Sequence, residues 1–151
     1  MASFHIEGGH KLHGAIRPQG AKNEALQLLC ACLLTPEKII LHNVPDILDV
    51  NNLIELLASL GIKTCSLGKG SWSFQADDID LDKLETKYFF EKSAALRGSV
   101  MMVGPLVARF GKAIIAKPGG DKIGRRRLDT HFLGIQKLGA RFDYDAERSL
   151  Y

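Results

Sequence analysis

The chain has no apolar run approaching the roughly 18 residues that a membrane helix needs. Its first residues, MASFHIEGGHKLHG, also lack the apolar stretch and small-residue cleavage site of a secretory signal. Both absences point to the cytoplasm and away from a membrane partner. Cysteine is scarce: Cys30, Cys32 and Cys65 are an odd number with neither a disulfide framework nor a metal-ligand spacing. Cys30 and Cys32 fall in an apolar helical stretch and read as core thiols in a reducing compartment. His5, His10, His13, His42 and His131 have no ligand spacing either, so no metal site is expected, and His131 reads as helix surface. An excess of one charge is also lacking. Twenty Lys and Arg against 17 Asp and Glu give a net charge of +3, too little to imply a nucleic-acid partner.

What remains is ordinary globular material, 151 residues with 46% hydrophobic and 25% charged side chains, long enough to bury one core. The small positive balance is unevenly spread, since Lys122, Arg125, Arg126 and Arg127 lie within six positions. That clustering points to a local anion site.

An internal repeat organises the chain. LLCACLLTPEKIILHNVP (residues 28–45) reads as the end of an apolar helix, a turn at Pro36 and a short β-rich strand. MMVGPLVARFGKAIIAKP (residues 101–118) has the same pattern, and setting Lys38 on Lys112 gives an offset of 74 that also places Leu33 on Val107. An amphipathic helix closing on Leu-Gly follows each strand, with Gly61 and Gly139 as helix C-caps, and each cap leads into alternating strand residues. Gly68-Lys69-Gly70-Ser71 turns the first hairpin into Trp72-Ser73-Phe74. A period of about 75 residues exceeds the 20–50 of a solenoid, so the expectation is a duplicated α/β subdomain. Each unit reads as strand, helix, strand, helix and a two-stranded hairpin, with the second hairpin cut short at Tyr151, as in a fragment.

Three segments carry chemistry. Gly20-Ala21-Lys22-Asn23 lies where a strand at residues 15–17 gives way to a helix starting near Glu24. Helix-terminal amides and the Lys22 ammonium would then face one space, which suits an anion. The other reading makes Lys22 a solvated lysine and Asn23 a cap. Residues 117–129, KPGGDKIGRRRLD, combine three glycines and a proline with five cations and two carboxylates. They read either as a phosphate-gripping loop or as a charged, solvated surface. Arg97 stands at the head of the second apolar helix and corresponds by the offset to position 23, beside Lys22. Pairing with Glu91, or snorkelling to solvent, would equally account for it.

The motifs Gly20-Ala21-Lys22-Asn23, Leu41-His42-Asn43-Val44-Pro45, Gly104-Pro105-Leu106-Val107-Ala108-Arg109-Phe110-Gly111 and Pro118-Gly119-Gly120 jointly resemble the enolpyruvyltransferases along essentially the whole chain. Within that family the resemblance is to the branch acting on UDP-N-acetylglucosamine. It implies an α/β (α+β) fold of repeated βαβαββ units, about two of them present, with the active site between two domains. Residues 1–20 would then belong to the other domain, residues 21–80 would form the first unit and residues 88–151 an unfinished second.

The resemblance also implies transfer of the enolpyruvyl group of phosphoenolpyruvate to a sugar 3-hydroxyl, with loss of phosphate, at the start of peptidoglycan synthesis. No metal or organic cofactor is needed. Lys22 and Asn23 would contact phosphoenolpyruvate, with Lys22 essential, and Arg97 and Arg126 would grip anionic groups near the reacting centre. Arg97 and the stretch Arg126, Arg127, Leu128, Asp129 and Thr130 would hold UDP-N-acetylglucosamine. Asp121 occupies the position of a cysteine that, in many members, protonates the enolpyruvyl methylene and is alkylated by fosfomycin. A carboxylic acid can donate that proton but is a poor nucleophile toward an epoxide, so fosfomycin resistance is expected. Arg127 stands where the family often has proline, which loosens the loop.

The base acting on the sugar hydroxyl would lie in the remainder of the intact chain, so the 151 residues alone are expected to be inactive. Two rivals stand beside this reading. The shikimate-pathway branch usually has serine where this chain has Asn23. A non-catalytic nucleotide- or RNA-binding module would use Arg125, Arg126 and Arg127, but no aromatic platform accompanies them.

Overall fold

The computed structural model describes residues 3–119 and 127–151. Residues 3–20 carry no helix or strand, and nearly all are exposed, with Phe4, Ile6, Leu12 and Ile16 more than nine-tenths so. The strand expected at residues 15–17 is therefore not formed, because a strand needs a partner for its backbone and none lies beside it among the described residues.

Regular structure starts with helix α1 (Lys22–Ala31) and continues through a 3-10 turn, Cys32–Leu34, into strand β1 (Lys38–Leu41). Ala25, Leu26, Leu29, Cys30 and Leu33 repeat at helical spacing and are buried together. Burial pushes the Cys30 thiol up to about 12 and the Cys32 thiol to about 11, which keeps both protonated, whereas Cys65 is exposed. Helix α2 (Leu48–Ser59) buries Val50, Leu53, Ile54, Leu56 and Leu57 against α1 and the sheet. Strands β2 (Lys63–Gly68) and β3 (Ser71–Gln75) form the expected hairpin around Lys69 and Gly70, both at positive φ.

The sheet order is β1-β3-β2, with β3 antiparallel to both neighbours, pairing Ile39 with Phe74 and Thr64 with Phe74. The unit is thus β1, the crossover helix α2, and β2, with β3 inserted between the two parallel edges. Its central strand is the most protected, and Ser73 and Phe74 are buried while most of β2 stays exposed.

The second unit departs from the expected order. It opens on a helix, α3 (Lys87–Ala95), where a strand was anticipated. Thr86 initiates α3 by accepting a hydrogen bond from the Phe89 amide, and Phe89 and Ser93 anchor its inner face. A 3-10 segment, Arg97–Met102, leads into α4 (Val103–Phe110), and α5 (Asp129–Lys137) completes the helices. The strand expected near Ala113 and Ile114 is reduced to an isolated bridge, Ala116 with Leu150, supported by paired backbone bonds between Ile115 and Tyr151. Arg109 donates from Nη1 to the Leu33 carbonyl at 2.9 Å, fastening α4 to the end of the first unit's helical segment. The exposed pairs Lys92–Glu55 and Lys112–Glu85 are solvent-screened and add little to stability.

The two Leu-Gly closures behave alike in backbone and differently in packing. Gly61 has φ of 103° and Gly139 of 104°, as the repeat predicts. A Cβ on Gly61 would lie 2.7 Å from the Asp78 carbonyl oxygen, whereas one on Gly139 would meet nothing within 4 Å. Gly139→Ala should therefore cost roughly 1–2 kcal/mol from the left-handed backbone alone, and Gly61→Ala distinctly more. Urea unfolding of the two variants side by side checks this, and equal losses would contradict it.

Candidate functional site

Lys22 is the first residue of α1. The preceding Ala21 offers no side chain to cap the helix, so its first amides face outward beside the Lys22 ammonium and the Asn23 amide. Gly20 sets this corner against the Asn43–Pro45 turn, where a Cβ would collide with the Asn43 carbonyl oxygen. Arg97 begins the equivalent segment of the second unit, and the buried Gly98 beside it packs against the Leu26 side chain of α1. The duplicated helix starts are thereby brought face to face.

Between them lies a cleft of about 430 Å3, lined by Lys22, Asn23, Asp49, Arg97, Arg127 and His131, with Leu128 at its edge. Three permanent cations, an uncapped helix start and a carboxamide thus converge, and among the lining residues only Asp49 is acidic. Such an arrangement attracts an anion and leaves its oxygens several donors. The Lys22 ammonium is ion-paired with Asp49, which stands in the first turn of α2, where the helix dipole favours a carboxylate.

Arg127 forms a two-pronged contact with Asp129, Nε to Oδ1 at 3.0 Å and Nη2 to Oδ2 at 2.5 Å. The hydrogen-bonded carboxylate raises the Arg127 pKa further. The pair ties together the residues that enter α5. Arg97, Arg127 and Leu128 also border an adjoining cavity of about 640 Å3 that includes Lys117, Asp129, Phe142 and Tyr144. Pro118 lines that cavity too, and the Gly119 amide donates to the Ala94 carbonyl at 2.7 Å, tying this end of the glycine-rich segment three residues from Arg97.

Of the expected site residues, Lys22, Asn23, Arg97, Arg127 and Leu128 meet in the first cleft, and Asp129 lines the second. Thr130, exposed in the first turn of α5, lines neither. Asp121 and Arg126 lie outside the described residues. Glu91, offered as a partner for Arg97, pairs with Lys87. Sequence reasoning missed Asp49, whose partner is 27 positions away on another helix; His131, expected at the helix surface, is exposed on α5 and lines the cleft.

The profile of the EPSP synthase (3-phosphoshikimate 1-carboxyvinyltransferase) family matches residues 6–150. The UDP-N-acetylglucosamine 1-carboxyvinyltransferase of Bacteroides fragilis is 62% identical over 151 residues, which is all of this chain and 35% of that protein. The protein of the same name from Porphyromonas gingivalis is 58% identical over the same shares, and that from Bradyrhizobium diazoefficiens 42% identical over 90% of this chain and 31% of its own length. The chain therefore spans about a third of the length of the curated relatives it matches. The crystal structure of the enolpyruvyl transferase NikO from Streptomyces tendae aligns over 95% of this chain and 30% of that one, with a TM-score of 0.72 at 23% identity, and so shares the fold. The family profile covering nearly every residue, together with this shared fold, shows that the chain belongs to the EPSP synthase family.

Proposed function

We propose that the intact protein transfers the enolpyruvyl group of phosphoenolpyruvate to the 3-hydroxyl of UDP-N-acetylglucosamine and releases phosphate, the first committed step of peptidoglycan synthesis, in the cytoplasm. The observation that carries this reading is the convergence of Lys22, Asn23, Arg97 and Arg127 on one cleft in a chain 62% identical to a protein named for that transfer. Phosphoenolpyruvate brings a phosphate and a carboxylate, and a cleft with three cations and one carboxylate is charged to receive them. Lys22 and Asn23 bind phosphoenolpyruvate together with Arg126, while Arg97, Arg126, Arg127, Leu128, Asp129 and Thr130 hold the nucleotide sugar.

The chemistry needs no cofactor. As the sugar oxygen adds to C2, a proton reaches C3, and Asp121 is its donor in this reading. Phosphate then leaves the tetrahedral intermediate while C3 gives up a proton, which restores the double bond of the enol ether, and the fixed cations stabilise charge that would otherwise require reorganised water. The remainder of the intact chain supplies the base and the opposite wall of the cleft. The exposed apolar side chains of Phe4, Ile6, Leu12 and Ile16 support a reading in which residues 1–20 pack against that other domain.

Phosphate release by the intact protein, assayed with phosphoenolpyruvate and either UDP-N-acetylglucosamine or shikimate 3-phosphate, tests the assignment. Turnover is expected with the nucleotide sugar alone, the 151-residue chain should be inactive, and Lys22→Ala should lower kcat/KM on the order of 100-fold or more. Turnover confined to shikimate 3-phosphate would overturn the reading. A second expectation concerns Asp121. Fosfomycin should leave the intact enzyme active, and mass spectrometry should find no adduct at that residue, whereas full inhibition with Asp121 alkylated would refute its assigned chemistry.

A further inference from the structure

A carboxylate in an anion-binding cleft demands an explanation, because its charge repels the ligand that the surrounding cations attract. Asp49 is that group, and its partner is the Lys22 ammonium at the start of α1. The side chains are 45% and 38% exposed, so water reaches both, and a pair this wet contributes little to the stability of the fold. Its placement nevertheless follows from both helices. Lys22 sits at the positive end of the α1 dipole, which disfavours an ammonium there and would let the long side chain swing to solvent. Asp49 occupies the first turn of α2, where the dipole stabilises a carboxylate. The two helix starts are juxtaposed, and the carboxylate draws the ammonium onto the cleft wall.

We propose that Asp49 is a positioning residue. It holds the Lys22 ammonium over the cleft, and that group, with three donor hydrogens, keeps donors available for an incoming phosphate or carboxylate. Repulsion between Asp49 and the anion is the accompanying cost, so the two roles predict opposite signs. A group that merely repels would, once neutralised, leave an enzyme that binds phosphoenolpyruvate more tightly and turns over as before. A group that positions Lys22 would, once neutralised, leave the cation free among several rotamers and impair the chemical step. This inference rests on the proposed transfer for its kinetic consequence, but the hold on Lys22 is testable without it.

The experiment compares the intact wild-type protein with Asp49→Asn and Asp49→Glu. Steady-state kinetics with phosphoenolpyruvate and UDP-N-acetylglucosamine is combined with acetic-anhydride footprinting of Lys22 read by mass spectrometry. Asp49→Asn should lower kcat by roughly 10- to 100-fold, the scale of losing one well-oriented group, with the KM for the nucleotide sugar and the melting temperature unchanged. Lys22 should acetylate severalfold faster, and Asp49→Glu, which keeps the charge, should recover part of kcat and slow the acetylation again. Undiminished kcat with a lower KM for phosphoenolpyruvate, or Lys22 labelling that ignores the substitution, would overturn the proposal. Should no variant, wild type included, transfer an enolpyruvyl group, the functional reading fails, while the footprint still decides whether Asp49 holds Lys22.

Discussion

The close approach of α1 to the 3-10 segment that begins at Arg97 is the constraint on which the cleft depends. Gly98 eases it, since a Cβ there would stand 3.1 Å from Leu26 Cδ1, whose side chain would have to give by a few tenths of an ångström. Leu26 and Leu29 on one side and Met102 and Leu106 on the other bury the seam, and Arg109 fastens it at the far end. Burial of this apolar surface stabilises an arrangement in which Lys22 and Arg97 line one cleft. Asp49 pairs with the Lys22 ammonium there. Stability of the core thus maintains a concentration of positive charge that no surface helix pair would assemble by itself.

Lys22 at the start of α1 and Arg97 at the start of the 3-10 segment each bring a cation to the cleft, and Arg127 lines it as well. At Arg127 a fork of two hydrogen bonds to Asp129 restrains the entry into α5. The restraint is electrostatic and half-solvated, so the guanidinium remains able to exchange its carboxylate partner for a phosphate.

Much of this was legible in the residues because local signals and tertiary outcome agree. The apolar spacing of α1 and α2, the turn at Pro36, the Leu-Gly closures at Gly61 and Gly139 and the hairpin around Lys69 and Gly70 are encoded within a few positions of where they act. The two missing strands fail for non-local reasons. Residues 15–17 have strand-like composition but no partner, and Ala113 and Ile114 lack the length of paired backbone that would turn a bridge into a ladder. Helix α3, by contrast, carries a local signal in its Thr86 cap. In the site, Arg97, which the repeat offset sets on position 23, lines the same cleft as Lys22, whereas Asp49 carries no spacing signal and enters the cleft only through packing.

Whether the cations act on one ligand is the central physical claim, and it can be measured directly. In the intact protein, a titration with phosphoenolpyruvate followed by side-chain NMR of Lys22 Nζ, Arg97 and Arg127 reads each group separately. Perturbation of all three along a single saturation curve is the predicted result. Signals that respond with different affinities, or a response confined to one of the three, would contradict a shared anion site.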